Sequence, residues 1–398
     1  MNKANYTRIK LKQGRDWTAR RGHPWVFSGA LINPPPNFEP GEIVDLEDMQ
    51  GDFVARGYYN PNTDIAVRVL TTNPDELIDT GFFVRRISEA WNLRRMGLNL
   101  AETNVFRLIN AEGDFLPGLI ADYYDGAVVL QSHTAGIDRR LNQVCAAITE
   151  VIKPKGLLVR NDVAVRSREG LKKEEPRLVM GEIAPEIMVQ ENGLKFAVDL
   201  WKGQKTGFYA DQRDKRQALI RYARGESLLN CFSYSGGFSV YAAKHNLDLK
   251  VTSLDQSAPA LEIARRNFNL NNLDPSQHEF LAADAFAYLQ NQTAQFDTVI
   301  LDPPAFAKSH REKDKALQGY QRLNTLGIPL VKSGGILMTC SCSGSISMEE
   351  FANSLAQAAA NTHRRLQILE TFENGLDHPV NIFTPESRYL KVLVCRVT

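Results

Sequence analysis

Beyond Glu191 the chain repeats one pattern, an apolar β-prone run followed by a helix-length segment. The strand-type runs are Ser227–Phe232, Lys250–Asp255, His278–Leu281, Phe296–Leu301 and Gly335–Cys340. Helical periodicity fills the intervals at Ser239–Lys244, Ala258–Asn271, Ala285–Gln290 and Gln318–Val331. Strands that alternate with helices pair through crossovers, and both sheet faces are then covered, so the pattern specifies an α/β, doubly wound, Rossmann-like parallel sheet. Leu366–Leu369 and Tyr389–Val397 supply a closing strand pair.

That sheet does not account for 398 residues, and a single core rarely grows past about 250–300 residues. From Thr7 the runs Arg8–Lys12, Gly41–Leu46, Asp52–Tyr59 and Ile65–Leu70 alternate with turns and a proline break at Pro34–Pro36. They predict a small β-barrel or sandwich over residues 1–71. Residues 72–185 read as an α+β middle domain. Its helix, Thr80–Arg95, spaces Phe82, Phe83, Ile87, Ala90, Trp91 and Leu93 at helical intervals with Arg85, Arg86, Arg94 and Arg95 largely between them. Strands at Val105–Ile109, Leu119–Tyr124, Ala127–Gln131 and Leu157–Arg160 accompany a helix near Ile137–Ile152, and the charged run Arg166–Arg177 reads as an exposed loop. The doubly wound domain takes residues 186–398.

Hydrophobic content of 43% with 23% charged residues is that of a soluble globular chain. No apolar run approaches the roughly 18 residues of a membrane span, and no secretory leader is evident at the start, so the cytoplasm is the expected compartment and no membrane partner is expected. Five cysteines in no metal-ligand or disulfide spacing are expected to be reduced thiols, with no metal. A net charge of +1 gives no general attraction to nucleic acid. Up to Arg21, however, Lys3, Arg8, Lys10, Lys12, Arg15, Arg20 and Arg21 face the single acid Asp16, with Trp17, His23 and Trp25 interleaved. Cations for phosphates and flat rings for bases are what single-stranded RNA requires; a solvated basic strand with core tryptophans fits the same composition. The oligomeric state stays open, a homodimer included.

Asn230–Phe238 ends the first strand and opens a helix, where doubly wound sheets bind ligands. Gly236 and Gly237 let the backbone approach a ligand. The second strand ends in Asp255, a carboxylate suited to two ribose hydroxyls; the third ends near Asp284-Ala-Phe286, which can border an adenine. A dinucleotide enzyme would carry Gly-x-Gly-x-x-Gly, which is lacking. The four strand ends together indicate S-adenosylmethionine. Asp302-Pro-Pro-Ala-Phe306 places an acid at the mouth of the site, able to grip a base ring and manage its protons, although a helix-capping aspartate before prolines looks the same. Cys340 and Cys342 end the fifth strand. A thiolate adding to carbon 6 of a pyrimidine converts carbon 5 into a nucleophile. Free cysteine is also a common packing residue, and strand alternation puts both on one side, so the two are not separated on these grounds. Cys145, Cys231 and Cys395 read as core.

These residues resemble the bacterial 23S large-subunit ribosomal RNA cytosine-C5 methyltransferase I family over nearly the whole chain. The resemblance is carried by Gly203–Arg213, Asn230–Phe238, Asp302–Phe306, Ser341–Gly344 and Asp377-His-Pro-Val380. It implies a PUA-like RNA-binding β domain, a middle α+β domain and an S-adenosylmethionine-dependent methyltransferase domain. It implies cofactor contacts from Lys205, Thr206, Gln212, Phe232, Tyr234, Ser235, Gly236, Asp255, Ser257, Asp284, Ala285 and Asp302. It places the nucleophile at Cys342, makes Asp302 the base-gripping acid, and gives RNA contacts to Arg15, Arg20, Arg21 and Trp25, with 23S ribosomal RNA as partner. Where two-cysteine RNA methyltransferases carry Pro-Cys to release product, this chain has Pro303-Pro304.

Two other functions compete. Asp-Pro-Pro with an aromatic also suits methylation of a ring nitrogen or exocyclic amine, guanine included, without any cysteine. The basic, tryptophan-bearing start also fits an RNA-binding ribosome assembly factor that retains a vestigial cofactor fold. His378 reads equally as catalytic or as an entrance residue held by Asp377, and Arg213 either pairs with Asp211 or Asp214 or reaches RNA.

Overall fold

A computed structural model describes residues 6–34, 37–307 and 310–398, the side chain of residue 310 excepted. Lys3 of the basic stretch and Pro35-Pro36 of the proline break lie outside the described residues. The chain divides into two compact units: 1–189 with 198–210 and 376–387, and 190–197 with 211–375 and 388–398.

The second unit holds a seven-stranded sheet. Its strands are β1 (Ser227–Cys231), β2 (Lys250–Asp255), β3 (Glu279–Ala282), β4 (Phe296–Leu301), β5 (Val331–Ser341), β6 (Leu366–Phe372) and β7 (Lys391–Val397). They run in the order β3-β2-β1-β4-β5-β7-β6. The first five pair in parallel, and β7 joins antiparallel to β5 and β6. Besides a helix at Arg213–Leu219, the α-helices are α1 (Gly237–His245), α2 (Ala258–Leu270), α3 (Ala285–Asn291), α4 (Lys313–Gly327) and α5 (Met348–Asn361).

One core cluster joins Leu229, Cys231, Leu254, Val299, Leu301, Leu337 and Cys395 from the strands with Tyr320, Leu323, Phe351 and Leu355 from α4 and α5. Each such aliphatic side chain contributes about 1.5–3 kcal/mol through burial. Cys231 and Cys395 are buried there as expected, and Cys145 is buried in the first unit.

The expected helix to Val331 ends early. α4 stops at Gly327, a tight turn follows at Ile328–Leu330, and Val331 already pairs with Phe296. Pro329 sits in that turn, lacks an N–H and cannot continue an α-helix. α5 was not expected, although Ser347 and Glu350 form a reciprocal capping box that the sequence spells out.

The first unit carries a six-stranded, barrel-like sheet and a five-stranded sheet. The former contains the expected runs, at Thr7–Leu11, Glu42–Glu47, Phe53–Tyr59 and Ile65–Thr71, and adds short strands at Trp25–Phe27 and Leu31–Ile32. Its interior is Ile9, Leu11, Val26, Val44, Leu46, Val54 and Val67. The latter orders Arg177–Gly181, Gly156–Val159, Ala127–Ser132, Leu119–Tyr124 and Val105–Asn110 from edge to edge. The helix at Thr80–Gly97 packs Phe82, Phe83, Ile87 and Ala90 into its core.

Two expectations about charge are corrected. Arg94, placed among the polar residues between the apolar stripe, is fully buried, while Leu93 is 38% exposed. The guanidinium of Arg94 donates to both carboxylate oxygens of Asp114, to Arg107 O at 2.8 Å and to Asp377 O at 2.8 Å. A planar cation with every donor satisfied tolerates such a site. The run Arg166–Arg177 is not uniformly exposed either. Arg166 is buried, donating to Ser132 O and to the carboxylates of Asp138 and Glu174, and Glu169 is buried with it.

Candidate active site

In a parallel sheet the strand ends of one sense share an edge, and the turn after β1 is the tightest feature there. Phe232, Tyr234 and Gly236 take left-handed φ values of 61°, 46° and 77°. For the two non-glycine residues this costs on the order of 1 kcal/mol or more each, and such outliers cluster at ligand sites. Gly236 has a further constraint, since a Cβ there would lie 2.9 Å from the Cβ of Ala264 in α2.

Asp255, at the end of β2, fixes that turn. Its Oδ2 accepts the Tyr234 N–H at 2.8 Å and its Oδ1 accepts the Ser257 N–H at 2.9 Å. Ser257 in turn caps α2 by accepting the Ala260 N–H, and Ser235 O accepts from Asn267 at 2.8 Å. Asp284 is the N-cap of α3, accepting the Ala287 N–H at 2.8 Å and the Gln256 amide at 2.7 Å; Ala285 is buried behind it.

Three polar atoms around this turn are buried without a partner: Asn230 Oδ1, Ser233 Oγ and Gln212 Oε1. An unmet buried polar atom costs about 1–3 kcal/mol. Acceptors and a hydroxyl beside a turn that ends in glycine fit a polar ligand such as the amino-acid end of S-adenosylmethionine. Gln212, buried, uses its Nε2 to donate to Asp302 Oδ1 at 2.9 Å.

The acid and the cysteines meet at the ends of β4 and β5. Cys340 is fully buried; burial, and then the charge of and hydrogen bond to Asp302, push its thiol well above the ordinary range. Cys342 is half-buried, just past β5, with its Sγ 3.7 Å from Pro303 O. Ser343 Oγ accepts the Ala307 N–H at 3.3 Å and bonds to Tyr320 Oη at 2.9 Å, tying the Asp-Pro-Pro-Ala-Phe turn to the Ser-Cys-Ser-Gly turn and to α4. Phe306 lies between Phe286 and Tyr320, at ring separations of 6.1 and 4.6 Å. Lys391, at the head of β7, donates from Nζ to Ser343 O at 2.6 Å and Tyr389 O at 2.8 Å.

Tyr320, Ser343 and Lys391 were absent from the sequence-derived set. Their only sequence signal was proximity to motif residues, and a lone lysine opening Lys391-Val-Leu-Val reads as an edge residue.

Apart from Arg213, the remaining expected residues lie in the first unit. Thr206 is buried, its hydroxyl donating to Asp122 and bonded to Tyr124 Oη at 2.8 Å; the Lys205 ammonium sits 4.1 Å from the Tyr209 ring centre. Asp377 and His378 are buried, with Asp377 Oδ2 accepting the Arg107 N–H at 3.0 Å and His378 Nδ1 3.1 Å from Asp377 Oδ1. Among the RNA candidates, Arg15 and Arg21 are exposed, and Arg21 lies 5.2 Å over Trp17, itself 54% exposed. Arg20 is paired with Asp16 and Asp48, and the half-buried Trp25 donates its indole N–H to Glu112 at 2.9 Å. In the second unit Arg213 is buried beside Asp214, at 3.5 Å. Among the described residues no group of three or more His, Cys, Asp or Glu could hold a metal ion, and no helix is long and apolar enough to cross a membrane.

Residues 9–72 match the PUA-like domain family and residues 171–394 the S-adenosylmethionine-dependent methyltransferase family. A protein of Alteromonas mediterranea named Ribosomal RNA large subunit methyltransferase I is 40% identical over 98% of this chain and 98% of its own length. One of the same name from Yersinia pestis bv. Antiqua is 40% identical over 98% and 99%. Two solved structures superpose with a TM-score of 0.83 at 22% identity, covering 98% of this chain and 100% of theirs. They are SMU.776, a candidate methyltransferase complexed with SAH, and a candidate SAM-dependent methyltransferase from Streptococcus mutans; their likeness is one of fold.

Proposed function

Because this chain belongs to the ribosomal RNA large subunit methyltransferase I family, we propose that its S-adenosylmethionine-dependent reaction methylates carbon 5 of a cytosine in 23S ribosomal RNA. The observation that carries the reading is the contrast between the two cysteines. Cys340 is fully buried against Asp302, whereas Cys342 is half-buried at the Pro303 carbonyl. Only the latter is open to a base.

The residues then divide the work. The Cys342 thiolate forms a bond to carbon 6, and the π pair of the C5–C6 double bond shifts so that carbon 5 becomes nucleophilic. Asp302, held by Gln212, grips the ring edge and carries the proton that balances charge on the ring. Bound S-adenosylmethionine supplies an electrophilic methyl group. Loss of the proton from carbon 5 restores the double bond and expels the thiolate. Pro303-Pro304 offers no second cysteine as acceptor, so that proton leaves to a different base.

Asp255, Ser257, Tyr234, Ser235 and Gly236 line the cofactor end, with Phe232, Asp284 and Ala285 toward the adenine side and Gln212 beside Asp302. Arg15 and Arg21, the latter against Trp17, carry the RNA contact; Arg20 and Trp25, already engaged by neighbours, shape its surface. The reaction belongs in the cytoplasm, where ribosomal RNA is made into subunits.

Mass spectrometry of ribosomal RNA from a strain lacking the protein tests the reading. One 5-methylcytosine should disappear; loss of an N-methylated base with all 5-methylcytosine retained would overturn it.

A further inference from the structure

The surroundings of Cys342 contain a buried cation that the reaction above does not use. Lys391 heads β7 opposite Ser341, the last residue of β5, in antiparallel register, and Cys342 is the next residue along. The lysine is only 2% exposed. Its ammonium has three donors, two of which reach the carbonyls of Ser343 and Tyr389. Among the described residues no carboxylate lies within 4.0 Å of it.

The nearest acids that act on it have other cations: Glu350 is bound by Lys313, and Glu373 lies 3.8 Å from Arg388. Facing Cys342 itself are Tyr320 of α4, Cys340 of β5 and the Pro303 carbonyl; Lys215 acts on Cys340. A buried ammonium without an anion is costly. Burial pushes Lys391 down to about 8, and a negative charge on Cys342 works in the opposite direction. Cationic neighbours are what turn a cysteine thiol into a thiolate.

We propose that Lys391 is a positioning residue that holds Cys342 as a thiolate, its ammonium fixed by the Ser343 and Tyr389 carbonyls and paired to the anionic sulfur. The proposal rests on the reading of Cys342 as nucleophile. It adds what that reading lacked, a source of the reactive protonation state at neutral pH.

The test is the pH profile of Cys342 alkylation by iodoacetamide in the full chain, followed by mass spectrometry of the Cys342 peptide. The wild-type midpoint should fall below the ordinary thiol value of about 8.5. Lys391→Met should raise it by about one unit or more, slowing alkylation at neutral pH roughly tenfold. Lys391→Arg should restore most of the rate, with S-adenosylhomocysteine affinity unchanged in both. A wild-type midpoint at or above the ordinary value overturns the proposal without any variant, and so does an unmoved midpoint in Lys391→Met. Retained turnover in Cys342→Ala would instead sink the nucleophile reading, while the alkylation profile would still report on the coupling of Lys391 to Cys342.

Discussion

The side-chain amide of Gln212 donates to Oδ1 of Asp302 across 2.9 Å, so the acid at the end of β4 is oriented by a residue ninety positions upstream in sequence. With the Cys340 thiol bonded to the same carboxylate, Asp302 is presented in one orientation. Asp302→Asn should lower kcat by about 10²–10⁴, the usual range for a positioned acid, and Gln212→Ala by about tenfold. Steady-state kinetics beside calorimetric titration with S-adenosylhomocysteine would check this; cofactor affinity is expected to change far less than kcat in Asp302→Asn.

Asp255 locks the turn after β1, because one carboxylate bridges the N–H groups of Tyr234 and Ser257. Charge-assisted bonds of this type contribute about 1.5–3 kcal/mol each. Asp255→Ala should weaken S-adenosylhomocysteine binding at least about tenfold, with Asp255→Asn intermediate. Wild-type affinity in Asp255→Ala by calorimetry would remove the residue from the cofactor site.

The doubly wound sheet was legible because its strands, buried on both faces, read as apolar runs such as Val299-Ile-Leu301. The turn after β1 and the acids at the strand ends were legible because backbone approach and polar ends leave glycine and aspartate in the sequence. Lys391 was not, since its burial follows from antiparallel pairing of β7 with β5, a long-range contact that local pattern does not encode. Arg94 was missed for the same reason: its partners Asp114 and Asp377 are tertiary. α5 was different, because the Ser347–Glu350 capping box stood in the sequence unused.

Arg94 and Asp114 form a buried ion pair with bidentate geometry, 2.7 Å between Nη2 and Oδ2. Removing one partner of such a pair leaves an uncompensated charge and costs about 3–5 kcal/mol. Asp114→Ala should therefore destabilise by about that amount in urea denaturation, and Arg94→Met with Asp114→Ala together by less than the sum of the two single changes.

His133 gives the first unit an acid-sensitive element. Burial first, then the charges of Arg107, Arg166 and Arg68, push its pKa down to about 4. The unfolded chain takes up the proton near 6.5 and the folded one does not until about 4, so this contribution is intact above about pH 6.5 and lost as pH falls toward 4. His133 as a residue is half-buried rather than fully buried, which limits the loss to about 2 kcal/mol. Urea denaturation across that window should show a shallower decline for His133→Gln than for the wild type; parallel curves would remove His133 as the cause.

The reaction proposed above passes through a covalent bond between Cys342 and a cytosine. Incubating the full chain and S-adenosylmethionine with large-subunit ribosomal RNA containing 5-fluorocytosine blocks loss of the C5 substituent and traps the intermediate. An RNA adduct should form that survives denaturation, maps to Cys342 by peptide mass spectrometry and is absent in Cys342→Ala. No adduct, together with full methylation of unmodified RNA by Cys342→Ala, would contradict that mechanism.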